Sequence, residues 1–283
     1  MKTDISAYNT NVKNTWCPGC GNFNIHLALK KALVELKKHP SEVIFSFDIG
    51  CNGNGGDKIE GFRVKGLHGR AIPFAIGAHI ANREMTVIAD IGDGGCLHEG
   101  IDHLIHAIRS NYNLTVLIHN NQNFALTTGQ ITSTTNSGKK MYAFPDGKTE
   151  GDINIGELVL ALNPSFYAKG YSADPVQLTE IIKEGIKHKG FSVIEIVQIC
   201  PTYNKENSPE VLTSRIKKVQ STNNLETARK YVLDTKQIYT GVIYQNKDIK
   251  DYYSNLKNRK GKKTQLTEEV KNYGISNLLN KIQ

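Results

Sequence analysis

The residues of this chain whose types and spacing could do chemistry are its cysteines, a Gly-Asp-Gly turn and an Asn-Asn pair. Cys17 and Cys20 form a C-x-x-C pair on a loop with Pro18, Gly19 and Gly21, a geometry that suits chelation of a metal. Cys51 and Cys200 stand alone, each at the end of a strand-like run. The cysteines total five, and the first residues are polar with no apolar leader. An odd count in such a chain argues against a disulfide framework and for metal binding with one thiol left over. Four thiolates can hold either Zn²⁺ or an iron–sulfur cluster. Zinc would favour a second C-x-x-C pair, but the residues alone leave both metals open. Cys96 reads as a small buried residue.

Gly92-Asp93-Gly94 follows an apolar run, and Asn120-Asn121 follows the next one. Glycine at a strand end lets a backbone approach a phosphate closely. A carboxylate and an amide oxygen are hard ligands suited to Mg²⁺, which often binds together with phosphates. A lone Gly-Asp-Gly is a turn. Coupled to Asn-Asn across one β-α-β step, it becomes a candidate site for a diphosphate and its metal. The histidines are weaker signals. His103 and His106, three apart, could chelate a metal, but they read better as a packed or hydrogen-bonded helix pair.

Elements must hold these residues in place. Ile25, Ala28, Leu29, Ala32, Leu33 and Leu36 fall on one helical face, as do Ile101, Leu104, Ile105 and Ile108. Helices are expected over 71–82, 155–162 and 176–188, with Pro73 tolerated in a first turn. Strands are expected over 43–47, 85–91, 114–119, 166–169 and 191–199. This alternation implies an α/β fold, a mostly parallel sheet flanked by helices. Ligands of such sheets sit beyond the carboxyl ends of the strands. Gly50-Cys51, Gly92-Asp93-Gly94, Asn120-Asn121 and Cys200 all fall at such ends. After about Cys200 the pattern weakens, and residues 201–283 read as irregular and helical segments. They would form either an arm packed on a partner or a tail.

The net charge is +8, with many lysines between Lys247 and Lys281. That suits a solvated basic surface, or a field that steers an acidic electron carrier. No nucleic-acid recognition module accompanies the charge, so no nucleic-acid partner is expected. No apolar run approaches the roughly 20 residues of a membrane span. No membrane association is expected, and the expected compartment is the cytoplasm.

Six stretches occur in a fixed order: Cys17-Pro18-Gly19-Cys20-Gly21, Asp48-Ile49-Gly50-Cys51, Gly66-Leu67-His68-Gly69-Arg70-Ala71, Gly92-Asp93-Gly94, the run from His103 to Arg109, and Cys200-Pro201-Thr202. Over roughly residues 13–204 the chain resembles the β subunits of 2-oxoacid:ferredoxin oxidoreductases. The resemblance implies a thiamine-diphosphate-binding fold in residues 1–204, with a C-terminal extension over 205–283 that packs on another subunit. It implies a 4Fe–4S cluster on Cys17, Cys20, Cys51 and Cys200. It implies Mg²⁺ on Asp93, the Asn121 side chain and the Asn123 carbonyl. Thiamine diphosphate would be bordered by Gly50, Cys51, Asn52, His68, Gly69, Gly92, Asp93, Gly94, Gly95, Asn121, Leu126 and Thr127. The reaction implied is oxidative decarboxylation of a 2-oxoacid with coenzyme A, giving acyl-CoA and CO₂, with ferredoxin taking the electrons. The aminopyrimidine-binding domain and its activating Glu would belong to an α subunit.

Three positions depart from the family pattern. Gly95 stands where a second Asp is usual, Thr128 where a Lys is usual, and Asn54 where members acting on dicarboxylates tend to carry a Lys. Loss of both cations argues against 2-oxoglutarate and for a monocarboxylate. Two other readings are a non-redox thiamine-dependent decarboxylase subunit, which needs no thiol quartet, and a zinc-stabilised α/β binding module, which leaves Asp93 and Asn121 without a task.

Overall fold

The computed structural model describes residues 4–259, 262 and 264–272. One sheet of eight strands runs through the chain in the order β2-β1-β3-β4-β6-β5-β8-β7. Its strands are β1 (Val43–Phe47), β2 (Phe62–Lys65), β3 (Thr86–Gly92), β4 (Leu114–Asn120), β5 (Phe166–Tyr171), β6 (Phe191–Val197), β7 (Ile216–Lys218) and β8 (Ile238–Gln245). Every pairing is parallel except β5 with β8. The main helices are α1 (Asn22–Glu35), α2 (Ala71–Ala81), α3 (Ile101–Ser110), α4 (Ile155–Ala161), α5 (Pro175–Lys187), α6 (Pro209–Arg215) and α7 (Leu225–Leu233).

The two-residue repeat of a strand divides the apolar side chains between two cores. Val87, Ala89 and Ile91 of β3 and Val116 and Ile118 of β4 pack beneath α2, α3, α4 and α7. Ile88, Leu117, Ile194 and Ile196 face the other way, toward α1 and α5. With both faces covered, the central strands are nearly continuous apolar runs, as buried parallel strands require. Caps set several helix starts. Asn154 accepts from the Glu157 N–H, Asp174 from Gln177 and Asn224 from Thr227, each satisfying a donor that the first turn leaves free.

The expectation of only irregular and helical segments beyond Cys200 is corrected. β8 lies antiparallel to β5, and its Val242 and Ile243 pack in the two cores. The elements around it are short and the sequence there is rich in Lys, Asn and Thr, so the strand is inconspicuous in the sequence. β2 was likewise not foreseen. It has four residues, mostly exposed, on the sheet edge, so it lacks the buried alternation that marks a strand. The end of the basic stretch, from residue 273 onward, lies outside the described residues.

Candidate functional site

The carboxyl ends of β1, β3, β4 and β6 are neighbours in the sheet, and a cavity of about 620 Å³ lies against them. Gly50, Cys51, Asn52, His68, Gly92, Asp93, Gly94, Gly95, Asn121, Asn123, Leu126 and Thr127 line it. Gly69 does not. Its N–H points instead to Asp48, donating to Oδ1 at 2.8 Å. Sequence reasoning missed His98, Glu99, Phe124, Gln130, Phe144 and Glu150, which also face the cavity. Phe124 and Gln130 lie on the stretch that follows Asn120-Asn121, and nothing in the types or spacing of the other four marked them.

Asp93 is 1% exposed, immediately after β3. Gly92 pairs with His119, so Asp93 and Asn121 leave adjacent strands side by side. The Thr132 and Thr134 hydroxyls both donate to Asp93 Oδ2, at 2.6 and 2.5 Å. Burial pushes the carboxyl up to about 6, opposed by these hydroxyls and by the backbone N–H groups of Asp93 and Asn121. No Lys, Arg or His forms an ion pair with it among the described residues. A buried carboxylate in that state calls for a cation. Asn121 Oδ1 accepts from the Asn123 N–H at 3.0 Å, and the Asn123 carbonyl from Ala125 at 3.1 Å. Each oxygen retains a second lone pair for a metal. Gln122 between them is left-handed (φ 62°), which turns the chain sharply at this point.

Lys148, 4% exposed, donates to the carbonyls of Thr132, Ser133 and Thr135 and so ties down the loop that holds Asp93. The glycines of the turn have a packing role too. A Cβ on Gly94 would run into the Phe124 ring, and one on Gly95 into the Asp48 carboxylate.

A second cavity of about 180 Å³ is lined by Cys17, Cys20, Cys51 and Cys200 together with Trp16, Asn54 and Tyr203. The four thiols, far apart in sequence, thus surround one space. Trp16 Nε1 donates to the Cys51 carbonyl at 2.7 Å, and Gln198 Nε2 lies 3.8 Å from Cys20 Sγ. Burial and the neighbouring thiols push Cys51 up to about 12. Thiolates there would repel one another unless a cationic group lay between them. No three His, Cys, Asp or Glu side chains among the described residues are grouped to hold a single ion. Cys96 is fully buried beneath α2 and α3, apart from this ring.

The family model for the C-terminal TPP-binding domain of thiamine pyrophosphate enzymes matches residues 48–196. The model for the C-terminal part of the pyruvate ferredoxin oxidoreductase beta subunit matches residues 200–261. The chain is 42% identical over 212 residues to the 2-oxoacid:ferredoxin oxidoreductase subunit beta of Saccharolobus solfataricus, covering 73% of this chain and 68% of that one. It is 36% identical over 265 residues to the corresponding subunit of a Sulfolobus species, covering 86% of each. This chain belongs to the 2-oxoacid:ferredoxin oxidoreductase β-subunit family.

A solved member of the wider group, 2-oxoglutarate:ferredoxin oxidoreductase from Magnetococcus marinus with 2-oxoglutarate, coenzyme A and succinyl-CoA bound, superposes with a TM-score of 0.87. It is 25% identical and covers 96% of each chain. The fold is therefore the thiamine-diphosphate-binding one, and the protein is a subunit of an oligomeric oxidoreductase. Among the described residues no helix is long and apolar enough to cross a membrane. In this β subunit His103 lies 3.6 Å from Asp102, and His106 is exposed on α3 outside both cavities.

Proposed function

We propose that the larger cavity takes the diphosphate end of thiamine diphosphate with Mg²⁺, and that the four thiols take a 4Fe–4S cluster. The chain then works within a complex that oxidises a 2-oxoacid with coenzyme A to acyl-CoA and CO₂ and passes electrons to ferredoxin. One observation carries this reading. Cys51, Asn121, Ala125, Leu126 and Gln198 line both cavities, so a single layer of residues separates the two groups. Thiamine diphosphate, when bound, supplies the electron sink for decarboxylation, and the protein supplies binding and orientation. Asp93, the Asn121 side chain and the Asn123 carbonyl would hold Mg²⁺. Gly92, Gly94 and Gly95 would border the phosphates, and His68 lines the same cavity. Cys51 and Leu126 would form part of the wall toward the cluster, with Gly50, Asn52 and Thr127 on its cofactor side.

The non-redox reading leaves the thiol ring without a task, and the zinc module does the same for Asp93 and Asn121. An α subunit would bring the aminopyrimidine-binding domain and the activating Glu. Residues 1–204 are read as the cofactor domain. Residues 205–283 are read as an extension that contributes β7 and β8 to the sheet and packs on the partner, and the assembly works in the cytoplasm.

The substrate reading is a monocarboxylate 2-oxoacid. No Lys or Arg lines the larger cavity among the described residues, whereas Glu99 and Glu150 do. Lys65 Nζ does reach Asn54 Oδ1 at 3.3 Å, but Asn54 borders the thiol cavity rather than the larger one. A second substrate carboxylate would enter unpaired, and burying such a charge costs several kcal/mol. The test is anaerobic co-purification with the partner subunit, iron, sulfide and zinc analysis, and a 2-oxoacid panel read by ferredoxin reduction. Iron with sulfide and a higher kcat/KM for pyruvate or its branched relatives is the expected result. Zinc without iron would overturn the cluster, and 2-oxoglutarate as best substrate would overturn the substrate reading.

A further inference from the structure

Asp48, at the end of β1, is fully buried. Its Oδ1 accepts the Gly69 N–H at 2.8 Å, while Oδ2 has no hydrogen-bond partner. Three loops converge on this residue. Its carbonyl oxygen occupies the place where a Cβ of Gly53 would stand, and Oδ2 the place where a Cβ of Gly95 would stand. Through Gly69 it reaches a turn in the left-handed region (φ 69°) that is pressed onto the next segment. A Cβ on Gly69 would lie 2.7 Å from the Glu99 carbonyl group. Asp48 itself does not line the larger cavity, but His68, Asn52 and Gly95, one on each of these loops, do.

A carboxylate buried with one oxygen unpaired is costly. Apolar packing at this strand end would avoid that cost but could not hold the Gly69 N–H. We propose that Asp48 is a positioning residue that clamps the His68–Gly69 turn onto the Gly92–Gly95 turn, and that positions 48 and 95 share one space that admits a single side chain. The glycine at 95 is then the steric consequence of the side chain at 48. The positioning role rests on the larger cavity being the cofactor site. The shared space is a packing claim that holds whatever the cavity binds.

The test uses the assembled complex with four variants: Asp48→Gly, Gly95→Asp, the two combined, and Asp48→Asn. Melting temperature, thiamine diphosphate titration of the cofactor-stripped complex, and kcat at saturating cofactor are measured. Gly95→Asp alone should melt well below the parent or fail to assemble, and the double variant should recover both yield and melting temperature. Asp48→Gly should bind thiamine diphosphate on the order of tenfold more weakly, as expected for loss of a buried hydrogen-bond acceptor, with kcat at saturation largely kept. Asp48→Asn keeps the acceptor and should stay within about threefold of the parent. A double variant no better than Gly95→Asp would overturn the shared space. Parental cofactor affinity in Asp48→Gly would overturn the clamp. A parent complex that binds no thiamine diphosphate would instead refute the cofactor reading, and the melting-temperature rescue would still decide the shared space.

Discussion

Asp93 presents one carboxylate oxygen to two threonine hydroxyls. That fixes the plane of the carboxylate, whose remaining lone pairs could meet a cation. If the hydroxyls aim the ligand, replacing both Thr132 and Thr134 by Val should raise the Mg²⁺ concentration for half-maximal cofactor binding about tenfold, since two hydrogen bonds to a charged group are lost. Iron content should not change, because the thiol ring shares none of these bonds. A Mg²⁺ titration matching the parent would show that the threonines only fill space. Asp93→Ala should go further, weakening thiamine diphosphate by at least tenfold, about 1.4 kcal/mol. Lys148 acts one step behind. Its removal as Lys148→Met takes a donor from three loop carbonyls; Thr132 and Ser133 keep a backbone N–H, from Thr135 and Ile153, whereas the Thr135 carbonyl loses its donor. A buried unsatisfied group costs roughly 1–3 kcal/mol. The melting temperature should fall by about 5 °C or more. A thermal scan with no shift would mean that the loop holds itself.

At the scale of elements, α2 buries His79 with neither ring nitrogen hydrogen-bonded, edge-on to Tyr253 at 5.8 Å. Burial lowers this histidine from 6.5 to about 4, with Arg83 adding to the effect and Asp251 opposing it. The unfolded chain therefore takes up a proton near pH 6.5 that the folded chain refuses until about pH 4. Stability present above pH 6.5 is lost as pH falls through that window. His79→Leu should flatten the fall in melting temperature between neutral pH and pH 4.5, compared at matched salt. The flattening should be partial, because His26 and His188 are also lowered to about 4 by burial. An unchanged pH profile would remove His79 from the account. The elements themselves differed in how well the sequence displayed them. β1, β3, β4 and β6 were legible because buried parallel strands must be apolar on both faces. Their carboxyl ends then led to Cys51, Asp93, Asn121 and Cys200. β2 and β8 were hidden by exposure and by polar surroundings. The one-turn π-helix Gly94–His98, the Asp48 hub and the Lys148 clamp arise from contacts between segments distant in sequence, which no local pattern encodes.

The candidate cofactor cavity is partly open rather than enclosed. Among the described residues its lining provides oxygen atoms, glycine turns and one thiol, but no Lys or Arg and only two acids beyond Asp93, namely Glu99 and Glu150. Large apolar side chains remain exposed at or beside the loops around it: Leu67 at 77%, Tyr142 at 87%, and Leu126 and Phe144 to a lesser degree. Exposed apolar groups gathered around a functional site mark a contact surface. Activation of thiamine diphosphate needs an acid on its aminopyrimidine ring, and the residues proposed for this cavity would serve the diphosphate end. The chain alone is therefore predicted to be inactive, with turnover appearing only when the α subunit closes the cavity. The measurement is reconstitution of the purified chain with iron, sulfide, Mg²⁺ and thiamine diphosphate, then addition of 2-oxoacid, coenzyme A and an electron acceptor, with and without the partner. The lone chain should bind iron and show no ferredoxin reduction above background. Turnover by the lone chain at the rate of the complex would mean that the cavity is complete as it stands, and would make Glu99 or Glu150 the activating acid.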